Sequence, residues 1–192
     1  MIAESPPVAD IKSLFFIVIF VLVSVAGCVG RGALDPAGAD FSVRGKIGVR
    51  QAQDGASARF NWLQTGDRYD IEVWGPLGQG RTRLSGDAAR MQVFQGDVLQ
   101  ATGKPDQIMT HYLGWSVPVA ILPSWIKGQP DPNFPVTAPR TDDSGRTVSF
   151  TQAGWSVALS GFGQGHEVAL PRKIVGTNGN RRVIVVVQEY LD

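Results

Sequence analysis

Cysteine occurs once in this 192-residue chain, at Cys28. That excludes an internal disulfide framework and a cysteine-cluster metal site. Histidine is nearly as scarce: His111 and His166 are the only two, a poor metal ligand set. No G-x-S-x-G elbow is present, and no sequence pattern draws either histidine into nucleophilic catalysis. We therefore expect no enzyme activity, no metal and no cofactor. Charge is sparse as well. Charged residues make up 18%, against roughly 25% in an average soluble protein, and 18 Lys+Arg against 17 Asp+Glu leave a formal +1. Nucleic acid binding needs a clustered basic footprint, and this balance gives no electrostatic case for it. Glu (4) and Lys (5), which usually cover exposed helices, are rare, while Val (22) and Gly (23) are abundant. That composition argues against a helical bundle or coiled coil and for strands.

One long apolar run breaks the pattern. Residues 14–25 read LFFIVIFVLVSV, interrupted only by Ser24. Extended to Val29 the run is 16 residues, short of the roughly 20 that span a bilayer as a helix. Lys12 precedes it, and Ala26, Gly27 and Cys28 follow it. This is the order of a secretory signal: positive region, apolar region, small-residue cleavage site. V-A-G-C resembles the bacterial lipobox, in which the Cys is acylated and becomes the new amino terminus. Two or more acyl chains on one Cys give stable anchoring, because each buried methylene contributes about 0.8 kcal/mol. Val29 stands where the enterobacterial sorting rule would need Asp to retain a lipoprotein in the inner membrane, so outer-membrane sorting is permitted. We expect residues 1–27 to be a lipoprotein signal peptide and 28–40 a lipidated, Gly/Ala/Pro-rich tether. Residues 41–192 should form one domain. Removal of 1–27 leaves 17 basic against 15 acidic residues.

From Phe41 onward period-two alternation dominates. Phe41, Val43, Ile47 and Val49 alternate with polar residues, as do Ala58, Phe60 and Trp62, and Tyr69, Ile71 and Val73. Gly66-Asp67 is a hairpin signal between the second and third runs. Further strands are expected at 80–85, 90–95, 147–152, 155–160, 167–175 and 182–190. Short strands at regular spacing indicate an antiparallel sandwich or barrel. The middle differs. Residues 105–113 put Ile108, Met109, Tyr112 and Leu113 on one helical face, with Pro105 in the first turn and Gly114 beyond the end. A second short helix is expected over 118–126, near a Ser116 cap and broken at Pro123. Residues 129–139 (QPDPNFPVTAP) read as an extended, proline-rich connection.

The glycine clusters at 75–80 and 161–165 do not lie between a strand and a long helix, so they read as hairpin turns rather than phosphate cradles. Five tryptophans, Trp62, Trp74, Trp115, Trp125 and Trp155, either fill a barrel core or line a cavity. The helices at 105–126 would cover the open end of a curved sheet. In Gly75-Pro76-Leu77-Gly78, Pro76 suits the first central turn position and Gly78 can supply a positive φ. Leu77 is then held at a turn tip. On a membrane-anchored protein such a tip is a candidate for dipping into lipid.

These segments together resemble the LolB family of outer-membrane lipoprotein receptors. The resemblance runs through the lipobox, F-S-V-R-G-K-I-G-V-R at 41–50, F-N-W-L-Q-T-G-D-R-Y-D-I at 60–71 and G-P-L-G-Q-G at 75–80. It continues with L-G-W-S-V-P-V at 113–119, W-I-K-G-Q-P at 125–130, F-T-Q-A-G-W-S-V at 150–157 and L-P-R-K-I at 170–174. It implies a mainly β fold with a small helical insertion: an incomplete antiparallel β-barrel around a hydrophobic cavity with a helical lid. It also implies receipt of client lipoproteins, through their acyl chains, from a periplasmic LolA-like carrier. Delivery would be to the inner leaflet of the outer membrane by a lipid-anchored monomer facing the periplasm. The family's protruding leucine falls on Leu77, flanked by Pro76 and Gly78. Our candidates for the acyl-chain cavity are Phe60, Trp62, Ile71, Val73, Val93, Ile108, Leu122 and Trp125. A lipocalin-like binder of free lipid would share the cavity but need no exposed Leu77. A structural outer-membrane lipoprotein would need neither cavity nor lid.

Overall fold

The alternating runs become strands of a single antiparallel sheet. A computed structural model of the chain describes residues 38–52, 54–113, 116, 119–163 and 169–191. The expected signal peptide, Cys28, Trp115 and His166 lie outside the described residues. Eleven strands form: β1 (Phe41–Gln51), β2 (Asp54–Thr65), β3 (Arg68–Trp74), β4 (Thr82–Gly86), β5 (Met91–Gln95), β6 (Val98–Gly103), β7 (Val136–Thr141), β8 (Thr147–Gln152), β9 (Trp155–Ser160), β10 (Lys173–Asn178) and β11 (Arg181–Leu191). Their order is β6-β5-β4-β3-β2-β1-β11-β10-β9-β8-β7. Two meanders are thus joined by the pairing of β1 with β11 at the centre.

β6 and β7 are the two edges of the sheet and do not pair with each other, so the barrel is not closed by hydrogen bonds. The chain leaves one edge at Gly103 and enters the other at Val136. Whatever lies between must cross the open side. That crossing carries α1 (Pro105–Leu113), a 3-10 turn (Val119–Ile121) and α2 (Leu122–Ile126). No described helix is long and apolar enough to span a membrane.

Several expectations need correction. β6 and β7 were not expected. β6 is mostly exposed, so it lacks an alternating apolar signature. β7 carries Pro139, which an edge strand tolerates because no ladder bond is lost on its free side. The strand expected at 167–175 begins only at Lys173, after Pro171, and runs to Asn178. The second helix is two pieces. A 3-10 turn precedes α2, whose cap is Ile121 rather than Ser116, and Pro123 sits in the first turn of α2, where its missing N–H costs nothing.

Strict period two also fails near the end of β11. Gly45 lies opposite Val187 but Arg44 opposite Glu189, so Gln188 is an extra, bulged residue. The bulge turns Glu189 outward, 3.1 Å from Arg44, and brings Tyr190 inward opposite Val43. The Tyr190 hydroxyl lies 2.7 Å from the Pro171 carbonyl and 3.1 Å from the Ile126 carbonyl and shares its one proton between them, tying α2 to the last strand. Burial pushes this phenol above the ordinary tyrosine range. Tyr190→Phe should leave both carbonyls short of a donor. We expect a loss of about 1–2 kcal/mol, or several degrees in Tm, in a thermal melt.

Candidate functional site

Side chains in register across paired strands share a face. One inward row runs Val93, Leu84, Ile71, Trp62, Val43 and Tyr190. The next runs Gln95, Thr82, Val73, Phe60, Gly45 and Val187. Val43 and Val187 of these rows, with Phe150 and Val157 of the other meander, pack into a filled core and are almost fully buried. Most of the rest face a void.

That void is an apolar cavity of about 480 Å³. Ligand pockets of this kind generally span roughly 300–1,000 Å³. Phe60, Trp62, Ile71, Val73, Val93, Ile108, Leu122 and Trp125 all line it, so the structure gathers the eight sequence candidates around one space. It adds Ile47, Val49 and Leu84, and, from the other meander, Trp155, Ile174 and Val183. For Ile47, Val49, Leu84 and Trp155 the signal was present in the sequence as the apolar parity of the strand, whereas Ile174 and Val183 lie in unbroken apolar runs that carry no parity. No charged residue is among the described lining, and its polar side chains are few, chiefly Ser57, Thr82, Gln95 and Gln100. Such a wall offers apolar surface and almost no electrostatic handle, which suits a hydrocarbon ligand.

The crossing segment forms the cover. Ile108, Met109 and Tyr112 reach the cavity from α1, and Leu122, Trp125 and Ile126 from α2. Trp125 packs edge-on to Phe150 and donates its indole N–H to Gln152 Oε1 at 3.0 Å. Gln152 also accepts from the Asp131 backbone N–H at 3.0 Å. It donates to the carbonyls of Asp131 and Phe134 at 2.8 and 3.0 Å. A fully buried glutamine therefore fixes the C-terminal side of the cover to β8. Gln64 plays a smaller version of this role, accepting from the Trp62 indole at 2.9 Å. Sequence reasoning passed over both glutamines, although Gln64 shares the inward parity of Phe60 and Trp62, and Gln152 that of Phe150. Below Trp155 lies Gly176, where a Cβ would come within 3.2 Å of the indole. A methyl group there would require the ring to give way by a few tenths of an ångström.

Trp74 departs from the buried set. It faces outward on β3, with the Arg81 guanidinium 4.7 Å from its ring centroid. His111 sits exposed on α1 beside Tyr112. The β3–β4 connection holds the last candidates. Gly78 N–H donates to the Gly75 carbonyl at 2.9 Å, with Pro76 and Leu77 at the two central turn positions and Gly78 at φ 86°. Leu77 N–H donates to Gln79 Oε1 at 3.0 Å. Leu77 itself is 92% exposed, the most exposed large apolar side chain described. Val73 and Thr82, the last paired residues before this loop, both line the cavity. The loop therefore springs from the edge of the cavity wall, although none of its residues is part of the lining.

The family model for the outer membrane lipoprotein LolB matches residues 39–190. The chain belongs to the LolB family. Among its relatives, the outer-membrane lipoprotein LolB of Pseudomonas fluorescens is 33% identical over 197 aligned residues, covering 92% of this chain and 95% of the relative. The LolB of Cellvibrio japonicus is 27% identical and covers 93% and 97%. A crystal structure of a LolA superfamily protein from Nitrosomonas europaea is similar in fold, with a TM-score of 0.53 at 10% identity over 78% of this chain and 84% of that one. The family match spans the described strands but for the last residue of β11, so sheet, cover and turn all belong to the part shared with the family.

Proposed function

We propose that this protein is an outer-membrane lipoprotein, anchored through acylated Cys28, that receives other lipoproteins from a periplasmic carrier. It shields their acyl chains in the cavity and delivers them to the outer membrane. The observation that carries this is the unfilled apolar cavity beneath a covering segment, in a chain of the LolB family. A sixteen-carbon acyl chain exposed to water costs on the order of 12 kcal/mol, at about 0.8 kcal/mol per methylene. The cavity must cover most of that while the client is off the membrane. Handover from the carrier needs no nucleotide hydrolysis, because each 1.4 kcal/mol of better binding shifts the partition about tenfold. Release then requires only that the bilayer outcompete the cavity.

Leu77 acts in the release step. Burying one leucine side chain in lipid contributes about 1.5–3 kcal/mol, too little to anchor the domain but enough to bias how its loop meets the leaflet. The test is a reconstituted transfer assay with carrier, receptor and liposomes, in which receptor-bound and liposome-inserted client are counted separately. Leu77→Glu should leave folding and uptake near wild type, since an exposed tip contributes little to stability. Insertion should fall sharply. Equal loss of uptake and insertion would assign Leu77 to the cavity or the fold instead. A receptor that takes up no acylated client at all would defeat the whole reading.

A further inference from the structure

The outer face of the sheet carries a charge pattern that the transfer cycle described above does not use. Between two inward rows lies an outward one. Lys173 stands opposite Val186, Val186 opposite Lys46, Lys46 opposite Arg59, and Arg59 opposite Trp74. Four residues along β1 and β11, on the same face, Arg50 stands opposite Arg182. Like charges directly opposed across strands are destabilising, yet this face has two such pairs, Lys46/Arg59 and Arg50/Arg182. All five cations are exposed, and among the described residues none forms an ion pair. Of the nearby carboxylates on this face, Glu189 is engaged by Arg44 and Glu72 by Arg81. The outer face over β3 and β4 is different: Arg83 meets Asp70 at 3.1 Å and Arg81 meets Glu72 at 2.7 Å. Over β3 and β4 two cations are thus held in ion pairs, whereas over β10, β11, β1 and β2 five are left unmatched beside the single Arg44–Glu189 pair.

The unmatched row does not end at random. It runs into Trp74, and Trp74 immediately precedes the turn that projects Leu77. Cationic side chains, an indole partly open to solvent and a protruding leucine form one continuous strip. Lys and Arg are drawn to anionic headgroups, Trp favours the headgroup level, and an exposed Leu enters hydrocarbon. We propose that the outer face of β10, β11, β1 and β2 docks on the anionic headgroups of a phospholipid bilayer, through Lys173, Lys46, Arg59, Arg50 and Arg182. Docked in this way, the domain brings the Trp74–Leu77 end of the strip to the interface. This orientation rests on the membrane-delivery reading above. An acidic protein surface would match the charge but not the apolar end of the strip.

The test uses the full, lipid-anchored chain in vesicles of phosphatidylcholine alone or mixed with phosphatidylglycerol. A fluorophore is placed through Gly48→Cys, between Lys46 and Arg50 on the outer face of β1, where an added Cβ meets open space, or, as a control, through Ser144→Cys in the β7–β8 turn. A headgroup-attached quencher reports proximity. The Gly48 label should be quenched in phosphatidylglycerol vesicles, released by added salt and weakly quenched in phosphatidylcholine. The Ser144 label should stay bright in both. Lys46→Gln with Arg59→Gln should lower the docked-to-undocked ratio roughly thirtyfold, at about fivefold per cation. The pair should melt no lower than wild type, because it removes a like-charge pair. Quenching that ignores lipid charge, or that survives the double substitution, overturns the proposal. So does unchanged quenching with lost uptake from the carrier, which would assign the face to an acidic protein. Uptake of acylated client by wild type is scored in parallel, so failure of docking and failure of the receptor reading are told apart.

Discussion

Ala58→Trp should leave the protein folded and remove its capacity to hold an acyl chain. Ala58 faces inward on β2, opposite Ile47, and both line the cavity. A large side chain forced into a packed core displaces neighbours and costs typically 1–3 kcal/mol. Here it would enter space that is already empty, so the indole gains contacts instead of displacing them, and cavity filling commonly adds about 0.5–2 kcal/mol. An aromatic of this size covers 150–250 Å², surface that a hydrocarbon chain would otherwise take. Displacing only four methylenes costs the chain about 3 kcal/mol, more than a hundredfold in affinity. The measurements are a denaturation curve and the uptake of an acylated lipopeptide from the carrier. Unchanged or raised stability with uptake lost by two orders of magnitude is the expected pair. Uptake at wild-type level would place the acyl chain somewhere other than this cavity.

Much of the fold was legible because one face of each strand is buried and the other wet. β1, β2, β3, β8 and β9 show clean alternation, and inward parity, once set by Phe60 and Trp62, carries to Ile71 and Val73 through the register. Pro105 and the Ile108/Met109/Tyr112 face gave α1 its bounds. What stayed hidden has physical reasons. Edge strands bond on one side only, so β6 can be nearly all exposed and β7 can hold Pro139. The β11 bulge changes parity within three residues, and nothing local in QEYL announces it. Trp74 was grouped with the buried tryptophans by residue type, although parity from Ile71 and Val73 sends it outward, over Arg81. Turn chemistry was the most direct signal: Pro76 and Gly78 specify a tight turn, and its tip had to be Leu77. The polar fasteners were the least visible. A glutamine in a strand looks like surface until its partners, which for Gln152 come from 18 to 27 residues away, are in place.

Gln152 is where the largest loss of stability is expected. Its amide meets four partners: the Trp125 indole N–H, the Asp131 N–H and the carbonyls of Asp131 and Phe134. Gln152→Leu keeps the volume close to native and removes every one of these bonds. The new side chain opens no cavity, so the cost arises from stranded polar groups. A buried donor or acceptor left without a partner costs about 1–3 kcal/mol. With four stranded and some rescued by water, the expected loss is about 3–6 kcal/mol, a large share of the roughly 5–15 kcal/mol that holds a typical domain together. The damage should begin in the cover, because Trp125 and the 131–134 turn lose their tie to β8 while the β1–β6 ladder is untouched. Hydrogen exchange should therefore show amides of 122–134 opening first, with β1–β5 still protected at denaturant concentrations where the cover has already loosened. Chemical denaturation gives the total. A change below about 1 kcal/mol, or uniform loss of protection across the sheet, would mean that the cover is held by its apolar contacts alone and that Gln152 merely fills space.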